Sequence, residues 1–252
     1  MAQLKQIREN AAGIDIGSEK IFIATEDDVV KSFLTFTSSF VEVIQYLKEK
    51  KVKTVAMEAT GVYGVVLFDM LEEAGLDPYL VNPASFKHVP GRKTDVQDCQ
   101  WIQQLHSYGL LKKSFIPSHE IREMRSYVRL REDHIESASQ YVNHMQKALT
   151  LMNVRLHQVI SQINGASGMR VIKAILSGER DCHVLAALCN DRILKTKKDE
   201  VIASLNGNYK KEYLFMLSQA IDCYEFYHSK IAQCDEKINF LLSEMNKDKE
   251  TA

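Results

Sequence analysis

The sequence predicts an α/β domain built on a mixed β-sheet, followed by a region made only of helices. Up to about residue 118, short apolar runs that suit strands alternate with amphipathic helical patterns. From 119 to 160 the chain has neither Pro nor Gly, which favours one long helix. The 252 residues are 45% hydrophobic and 26% charged, a balance that excludes disorder of the whole chain.

The first part of the chain is predicted to contain five strands and three helices. The strands are expected at 11–17, 20–25, 29–36, 52–57 and 78–82. The first helix is expected to begin at a cap formed by Ser38 or Ser39, the second to span 62–74 after Gly61, and the third to span 94–108. A three-strand meander followed by alternating helices and strands implies a mixed sheet with helices on its faces. This is the order of elements in a ribonuclease-H-like fold.

The second part of the chain is predicted to form a coiled coil or a helical hairpin. Short helices are expected at 169–177, 181–189 and 197–205, and a final helix at 209–246. Ten positions of the final helix alternate in steps of three and four: Leu214, Leu217, Ile221, Tyr224, His228, Ile231, Asp235, Ile238, Leu242 and Met245. Such a heptad seam suits a homo-oligomer, as a dimer or tetramer, or packing within the chain.

These patterns divide the chain into segments with different expected structures. Residues 1–118 should form the ribonuclease-H-like domain and 119–165 a long basic helix. The remaining segments are a small helical insertion at 166–207, the coiled-coil helix at 208–246 and a disordered tail at 247–252.

Simple features of the chain exclude several classes of protein. No apolar run approaches the roughly 18 residues that a membrane span needs, and the N-terminal residues MAQLKQIREN lack the apolar core of a signal peptide. The five cysteines form no CxxC pair, which argues against a zinc finger and against a disulfide framework. We therefore expect a cytoplasmic protein with no membrane partner.

Four acidic residues stand where the expected fold would bring them together. Asp15 ends the first strand and Glu58 ends the fourth, its expected neighbour, while Asp95 and Asp98 share one face of a helix's first turn. Clustered carboxylates repel one another unless a cation neutralises them. Such oxygen ligands select Mg²⁺ or Mn²⁺, and a pair of these ions can support phosphodiester chemistry. The four acids are therefore the candidate catalytic residues and metal ligands.

Basic residues are concentrated in the middle section of the chain. The net charge is only -1, but residues 1–85 carry a net -5 and residues 86–160 a net +4. A phosphate backbone is the partner that such a basic segment suits, although a solvated helix face paired with nearby acids is the alternative. The candidate nucleic-acid contacts are Lys87, Arg92 and Lys93 in the loop before the third helix, and Arg122, Arg125, Arg129, Arg131, Asn143 and Lys147 on the long helix.

Three motifs together resemble one known family. They are GIDIGS, AMEATGVYG and VNP…PGRKTDVQD, and an Arg-rich helix follows them. The chain is similar to the DEDD transposases of bacterial insertion sequences, also called bridge-RNA-guided recombinases, which are related to the pilin-gene inverting recombinases. The resemblance covers most of the chain and is strongest at 11–18, 55–64 and 81–106.

The resemblance implies a RuvC-like domain in which Asp15, Glu58, Asp95 and Asp98 bind divalent metal. It implies that the chain is the N-terminal part of a Mg²⁺-dependent, RNA-guided DNA transposase, with DNA and a structured guide RNA as partners. The family also carries a C-terminal domain with a catalytic serine. Its Gly/Pro-rich opening motif is not found here, so we expect the chain to be incomplete as a recombinase by itself.

Other functions fit part of the pattern. A stand-alone RuvC-like junction nuclease would explain the acids but leaves the long basic helix and the heptad seam unexplained. A non-catalytic RNA-binding or dimerising protein is a further alternative. The sugar-kinase and actin-like ATPases have a phosphate loop that reads like GIDIG, but here Ser18, Glu19 and Lys20 replace its second glycine and threonine.

Overall fold

The computed structural model describes residues 5–27, 29–58, 63–82 and 94–250. They divide into two compact units, residues 1–116 and residues 117–252. The described part of the first unit contains the predicted strands and helices in the predicted order. These are β1 (Ala11–Ile16), β2 (Lys20–Ala24), β3 (Val30–Leu34), α1 (Thr37–Glu49), β4 (Thr54–Glu58), α2 (Val65–Glu73), β5 (Asp77–Val81) and α3 (Asp95–Ser107).

The sheet of the first unit has the strand order β3-β2-β1-β4-β5. β1 pairs antiparallel with β2 and parallel with β4, so that Gly13 lies opposite Ala24 on one side and Ala56 on the other. β4 in turn pairs parallel with β5. The predicted mixed sheet of a ribonuclease-H-like fold is therefore confirmed.

The two faces of this sheet pack against different helices because side chains alternate along a strand. Ile14 of β1 and Met57 of β4 are completely buried on the face that α1 and α2 cover. The other face receives α3, where Ala56 and Val81 pack with Ile102. On β1, residues 11, 13 and 15 belong to this second face, so the strand presents Asp15 on the α3 side.

Gly13 allows α3 to lie with its backbone directly on β1. A Cβ atom at Gly13 would stand 2.3 Å from the carbonyl oxygen of Cys99 and 2.3 Å from the nitrogen of Gln103, distances that real Cβ atoms do not reach. The missing side chain is thus what permits this close approach of helix to strand. Gln103 completes the contact, because its Nε2 donates hydrogen bonds to the carbonyl oxygen of Ala11 and to Ser107 Oγ.

A buried histidine joins the other end of α3 to the sheet. His106 is 0% exposed, and its Nε2 lies 2.8 Å from Thr54 Oγ1, which itself donates to the carbonyl oxygen of Asp77. Nε2 must therefore carry the proton, and Nδ1 has no hydrogen-bond partner among the described residues. Burial, aided by the charge of Arg8, lowers the pKa of His106 from 6.5 to about 4. The interior holds this ring in its neutral form.

Two helix starts in the first unit differ from the prediction. α1 begins at Thr37, and its cap residue Phe36 has extended backbone angles and makes no side-chain cap hydrogen bond. Ser38 and Ser39 therefore lie inside the first turn, because the chain leaves β3 at Leu34 and enters the helix directly. α2 begins at Val65, while the predicted start after Gly61 lies outside the described residues.

The second unit is helical, as predicted, but its long helix is shorter than expected. α4 spans His119–Leu151 and not 119–160, because Asn153 adopts a φ of 58° and its amide caps the carbonyl of Thr150. A short 3₁₀ turn follows at Leu156–Gln158. The remaining helices are α5 (Ala166–Leu176), α6 (Cys182–Ala187), α7 (Asp191–Ser204) and α8 (Lys211–Glu250).

Two further details of the second unit depart from the prediction. α7 starts at Asp191, but Lys197 has non-helical angles, and this kink coincides with the predicted helix start. α8 continues to Glu250, through most of the predicted disordered tail. Lys247 contributes to this extension, because its Nζ lies 2.9 Å from Glu244 Oε1 one turn earlier on the helix.

The heptad seam of α8 packs against α4 of the same chain. α4 and α8 pack as an antiparallel hairpin in which Leu217, Ile221 and Ile231 are buried. The direction follows from the cross-helix pairs, since Arg131 Nε contacts Asp235 Oδ1 at 2.5 Å and Tyr141 stacks on Tyr227. Of the two possibilities left open by the seam, the structure shows the hairpin. None of the helices in the described part of the chain is long and apolar enough to cross a lipid bilayer.

Replacing Gly13 with Ala should destabilise the first unit by about 3 kcal/mol, because the added methyl forces α3 away from β1. Urea unfolding followed through Trp101, the single tryptophan, measures this change on α3 itself. Gly64→Ala is the matched control, since the atoms nearest to its methyl would be the flexible ends of the Ile16 and Met57 side chains, at 3.2 Å. An equal loss of unfolding free energy in the two variants would contradict the importance of the contact between α3 and β1 at Gly13.

The neutral His106 predicts a loss of stability in acid. Its pKa is lower in the folded than in the unfolded state, so its contribution is complete above pH 6.5 and is lost as the pH falls towards 4. Between pH 7 and pH 4.5 the free energy of unfolding of the wild type should fall by about 2–3 kcal/mol more than that of His106→Gln. Parallel pH profiles for the two proteins would show that this histidine does not titrate between the two states.

Candidate functional site

Asp15 and Glu58 lie side by side at the carboxyl ends of β1 and β4. The register pairs Ile14 with Met57, so the next residues of these parallel strands, Asp15 and Glu58, are neighbours. Both belong to the face of the sheet that α3 covers. Asp15 is partly buried and Glu58 is only 4% exposed. The strands therefore hold two carboxylates at one edge of the sheet, as the sequence predicts.

The first turn of α3 brings Asp95 and Asp98 to the same edge. Thr94 begins the helix, because its Oγ1 accepts a hydrogen bond from the backbone nitrogen of Gln97. From there α3 runs antiparallel to β1, with Cys99 and then Gln103 against Gly13 and with its final turn beside the start of the strand. The start of the helix consequently lies at the end of β1 that carries Asp15.

The charges of the other three carboxylates act on Asp15. The pKa of Asp15 is raised from 3.8 to about 6, first by burial and then by the charges of Glu58, Asp95 and Asp98. A hydrogen bond from the backbone of Ile16 lowers the same pKa but does not outweigh these effects. The structure thus places Glu58, Asp95 and Asp98 within electrostatic reach of Asp15.

The chemistry of this set fits a divalent cation, but its geometry as described is not that of a completed metal centre. Carboxylates that raise the pKa of a neighbouring carboxyl group are oxygen donors whose charges Mg²⁺ or Mn²⁺ would neutralise. Among the described residues, however, no three His, Cys, Asp or Glu side chains are arranged to hold one ion. Their role as metal ligands therefore stays a prediction.

Cys99 is buried on α3 next to this edge. Burial raises the pKa of its thiol to about 12, and the charge of nearby Asp15 acts in the same direction. Its Sγ donates to the carbonyl oxygen of Val96, at 3.1 Å. The thiol is therefore a neutral packing group beneath the acids.

The predicted basic contacts fall into different environments. Lys87, Arg92 and Lys93 lie outside the described residues. On α4, Arg125 and Arg129 are exposed one turn apart, and Asn143 and Lys147 form a second exposed pair with the same spacing. Arg131 differs, because its guanidinium is paired with Asp235 of α8 across the hairpin. Arg122 is partly buried near the start of α4.

Sequence reasoning missed the polar contacts that hold α3 in place. His106 and Gln103 were not singled out, although both are buried and bonded to the sheet. Their position could have indicated this role, because they lie on the same helix face as Cys99 and Ile102. A polar side chain on a buried face must form a hydrogen bond within the protein. The partners themselves lie on β1 and β4, far away in the sequence.

The comparisons with known proteins agree with this arrangement. Residues 12–154, more than half of the chain, match a family model described as a transposase, that of the IS110-type DEDD transposases. The matched segment runs from β1 into the turn after α4 and contains all four acids. No curated protein matches the chain.

Replacing Asp15 with Asn should stabilise the first unit in the absence of metal. Because the pKa of Asp15 is higher in the folded state, its contribution to stability falls as the pH rises from about 4 through 6. At pH 7 in EDTA the free energy of unfolding of Asp15→Asn should exceed that of the wild type by about 1–2 kcal/mol, after allowance for solvent screening. Urea titrations at pH 7 and pH 4 measure this. A gain that persists at pH 4 would have a different cause.

Proposed function

The chain belongs to the IS110-type DEDD transposases, and from this membership we propose that it is the metal-dependent, RuvC-like part of an RNA-guided DNA transposase. The family establishes a role in DNA transposition. Dependence on Mg²⁺ or Mn²⁺, guidance by a structured RNA and the roles of individual residues are the proposal. The observation that carries it is the convergence of four carboxylates at one edge of the sheet, all within the matched segment.

In this proposal Asp15, Glu58, Asp95 and Asp98 hold the divalent cation. The ion would supply charge stabilisation for the attacking and leaving oxygens of a phosphodiester. The chain's own contribution is to fix the backbone positions of the carboxylates on two strands and one helix. Burial of Glu58 and partial burial of Asp15 keep water from screening their charges.

The exposed cations of α4 are the proposed contacts to nucleic acid. Arg125 and Arg129 are spaced to meet successive phosphates along one helix face, and Lys147 lies further along the helix. Recognition through the backbone suits a structured RNA, whose shape and phosphates are read more readily than its paired bases. Arg131 is engaged with Asp235 and contributes to the stability of the hairpin instead.

We also propose that the protein acts as a homo-oligomer. The predicted seam does not supply the contact by itself, since Leu217, Ile221 and Ile231 are buried against α4 of the same chain. An assembly would therefore use other surfaces of the hairpin.

The metal proposal is tested by Mn²⁺ binding, followed by electron paramagnetic resonance. Asp15→Asn and Glu58→Gln should each weaken Mn²⁺ binding by at least about tenfold, because each removes a ligand. Binding of a structured RNA hairpin should stay unchanged in the same variants. Glu42→Gln, which removes an exposed acid from α1, is the control. Full Mn²⁺ affinity in both site variants would remove these acids from the metal centre and leave a non-catalytic RNA-binding protein as the better description.

The nucleic-acid proposal is tested by the salt dependence of hairpin binding. Arg125→Ala should reduce the slope of log affinity against log salt by roughly one, the loss of about one phosphate contact, without changing the unfolding midpoint. Arg131→Ala should leave the salt slope unchanged and lower the unfolding midpoint, because it breaks the pair with Asp235. An unchanged slope in Arg125→Ala would exclude that arginine from the interface.

A further inference from the structure

An open cavity of about 460 Å³ lies between α4 and α8 in the second unit. This volume falls within the range of roughly 300–1,000 Å³ that small-ligand sites occupy. The walls combine rings, a thioether and a cation, and no acidic side chain is among the described residues that line it. Its lining includes Tyr141, His144, Lys147, Phe215, Met216 and Cys223.

The α4 wall of the cavity is a fixed aromatic surface. The ring of Tyr141 stacks on Tyr227 at a centroid distance of 5.7 Å and meets the His144 ring edge-on at 5.3 Å. Cys223 of α8 lines the same cavity across the hairpin. Because these two ring contacts hold Tyr141 in place, a ligand that packs against the ring need not order it first.

The α8 wall of the cavity contains large apolar side chains that are exposed to solvent. Phe215 is 66% exposed and Met216 is 40% exposed, although both line a cavity that could cover them. Exposed aromatic and thioether groups beside a cavity favour a flat apolar ligand. Lys147 stands exposed on the opposite helix, so the same ligand should carry a negative charge at one edge.

We propose that this cavity binds one unpaired nucleobase of a nucleic-acid strand, stacked on Phe215, with the adjoining phosphate on Lys147. The proposal rests on the proposed function, which brings nucleic acid to α4, and it adds a site for a base that is not in a duplex. A paired base cannot enter a crevice between two helices without leaving its partner. Stacking on a ring is tolerant of base identity, so shape and not sequence selects the ligand.

The test compares single-stranded and duplex probes on the full chain. Phe215→Ala should weaken binding of a poly-adenylate oligoribonucleotide roughly tenfold, as expected for one stacked base, and leave binding of a blunt RNA duplex unchanged. Phe240→Ala is the matched control, because Phe240 is 61% exposed on the same helix but does not line the cavity. Phe215→Trp should retain binding, and its fluorescence should be quenched by the oligonucleotide. The same titrations with oligodeoxyadenylate show whether RNA or DNA is preferred.

Three results would overturn the inference. One is equal affinity of Phe215→Ala and wild type for the single strand. Another is a parallel loss for the duplex, which would indicate general disruption of the hairpin. The third is a change from dimer to monomer in light scattering of Phe215→Ala, which would show that a second copy of the chain covers this wall. Because duplex binding and Mn²⁺ binding are measured separately, failure here would leave the proposed function standing.

Discussion

The contact between Gly13 and the backbone of α3 is the constraint on which the first unit depends. Without a Cβ atom at this position, the helix lies directly on β1 at Cys99 and Gln103. The direction of α3 then determines which residues of the sheet lie beside each end of the helix. Its start, with Asp95 and Asp98, is placed beside Asp15, whereas its end carries His106 to Thr54 at the opposite edge of the sheet. One missing methyl group thus sets the position of both the acids and the buried histidine.

In the first unit, the interactions that stabilise the fold and those that destabilise it lie in different places. Repulsion among the acids and burial of Asp15 oppose folding at neutral pH. The apolar face under α1 and α2 and the hydrogen bonds of Gln103 and His106 lie away from that edge and offset the cost. Strain that is concentrated at one edge and compensated elsewhere is a common property of functional sites. Here the strain is electrostatic, and a bound cation would relieve it.

Much of the fold, and the identity of the acids, could be predicted from local patterns. Apolar runs located the strands, and the acids at the ends of 11–17 and 52–57 indicated a shared edge once the strands were ordered. What could not be predicted depended on geometry or on distant partners. Asn153 ended α4 through a left-handed backbone conformation, which asparagine adopts in only a minority of cases. Thr54 and His106 meet across 52 residues, a separation that no periodicity encodes. The seam of α8 carried no information on whether its partner was α4 or another chain.

The two helices of the antiparallel hairpin, α4 and α8, are connected by a long segment that packs against them. Met145 and Leu149 of α4 share one core with Val171, Leu185 and Leu217, so the insertion and the hairpin form a single apolar interior. During synthesis α4 and the insertion leave the ribosome before α8, and their apolar sides have no cover until that helix follows. The sheet and α3 precede all of them and can fold first, as N-terminal domains generally do. The elements that carry the acidic edge are therefore complete before the helix that closes the second core has been synthesised.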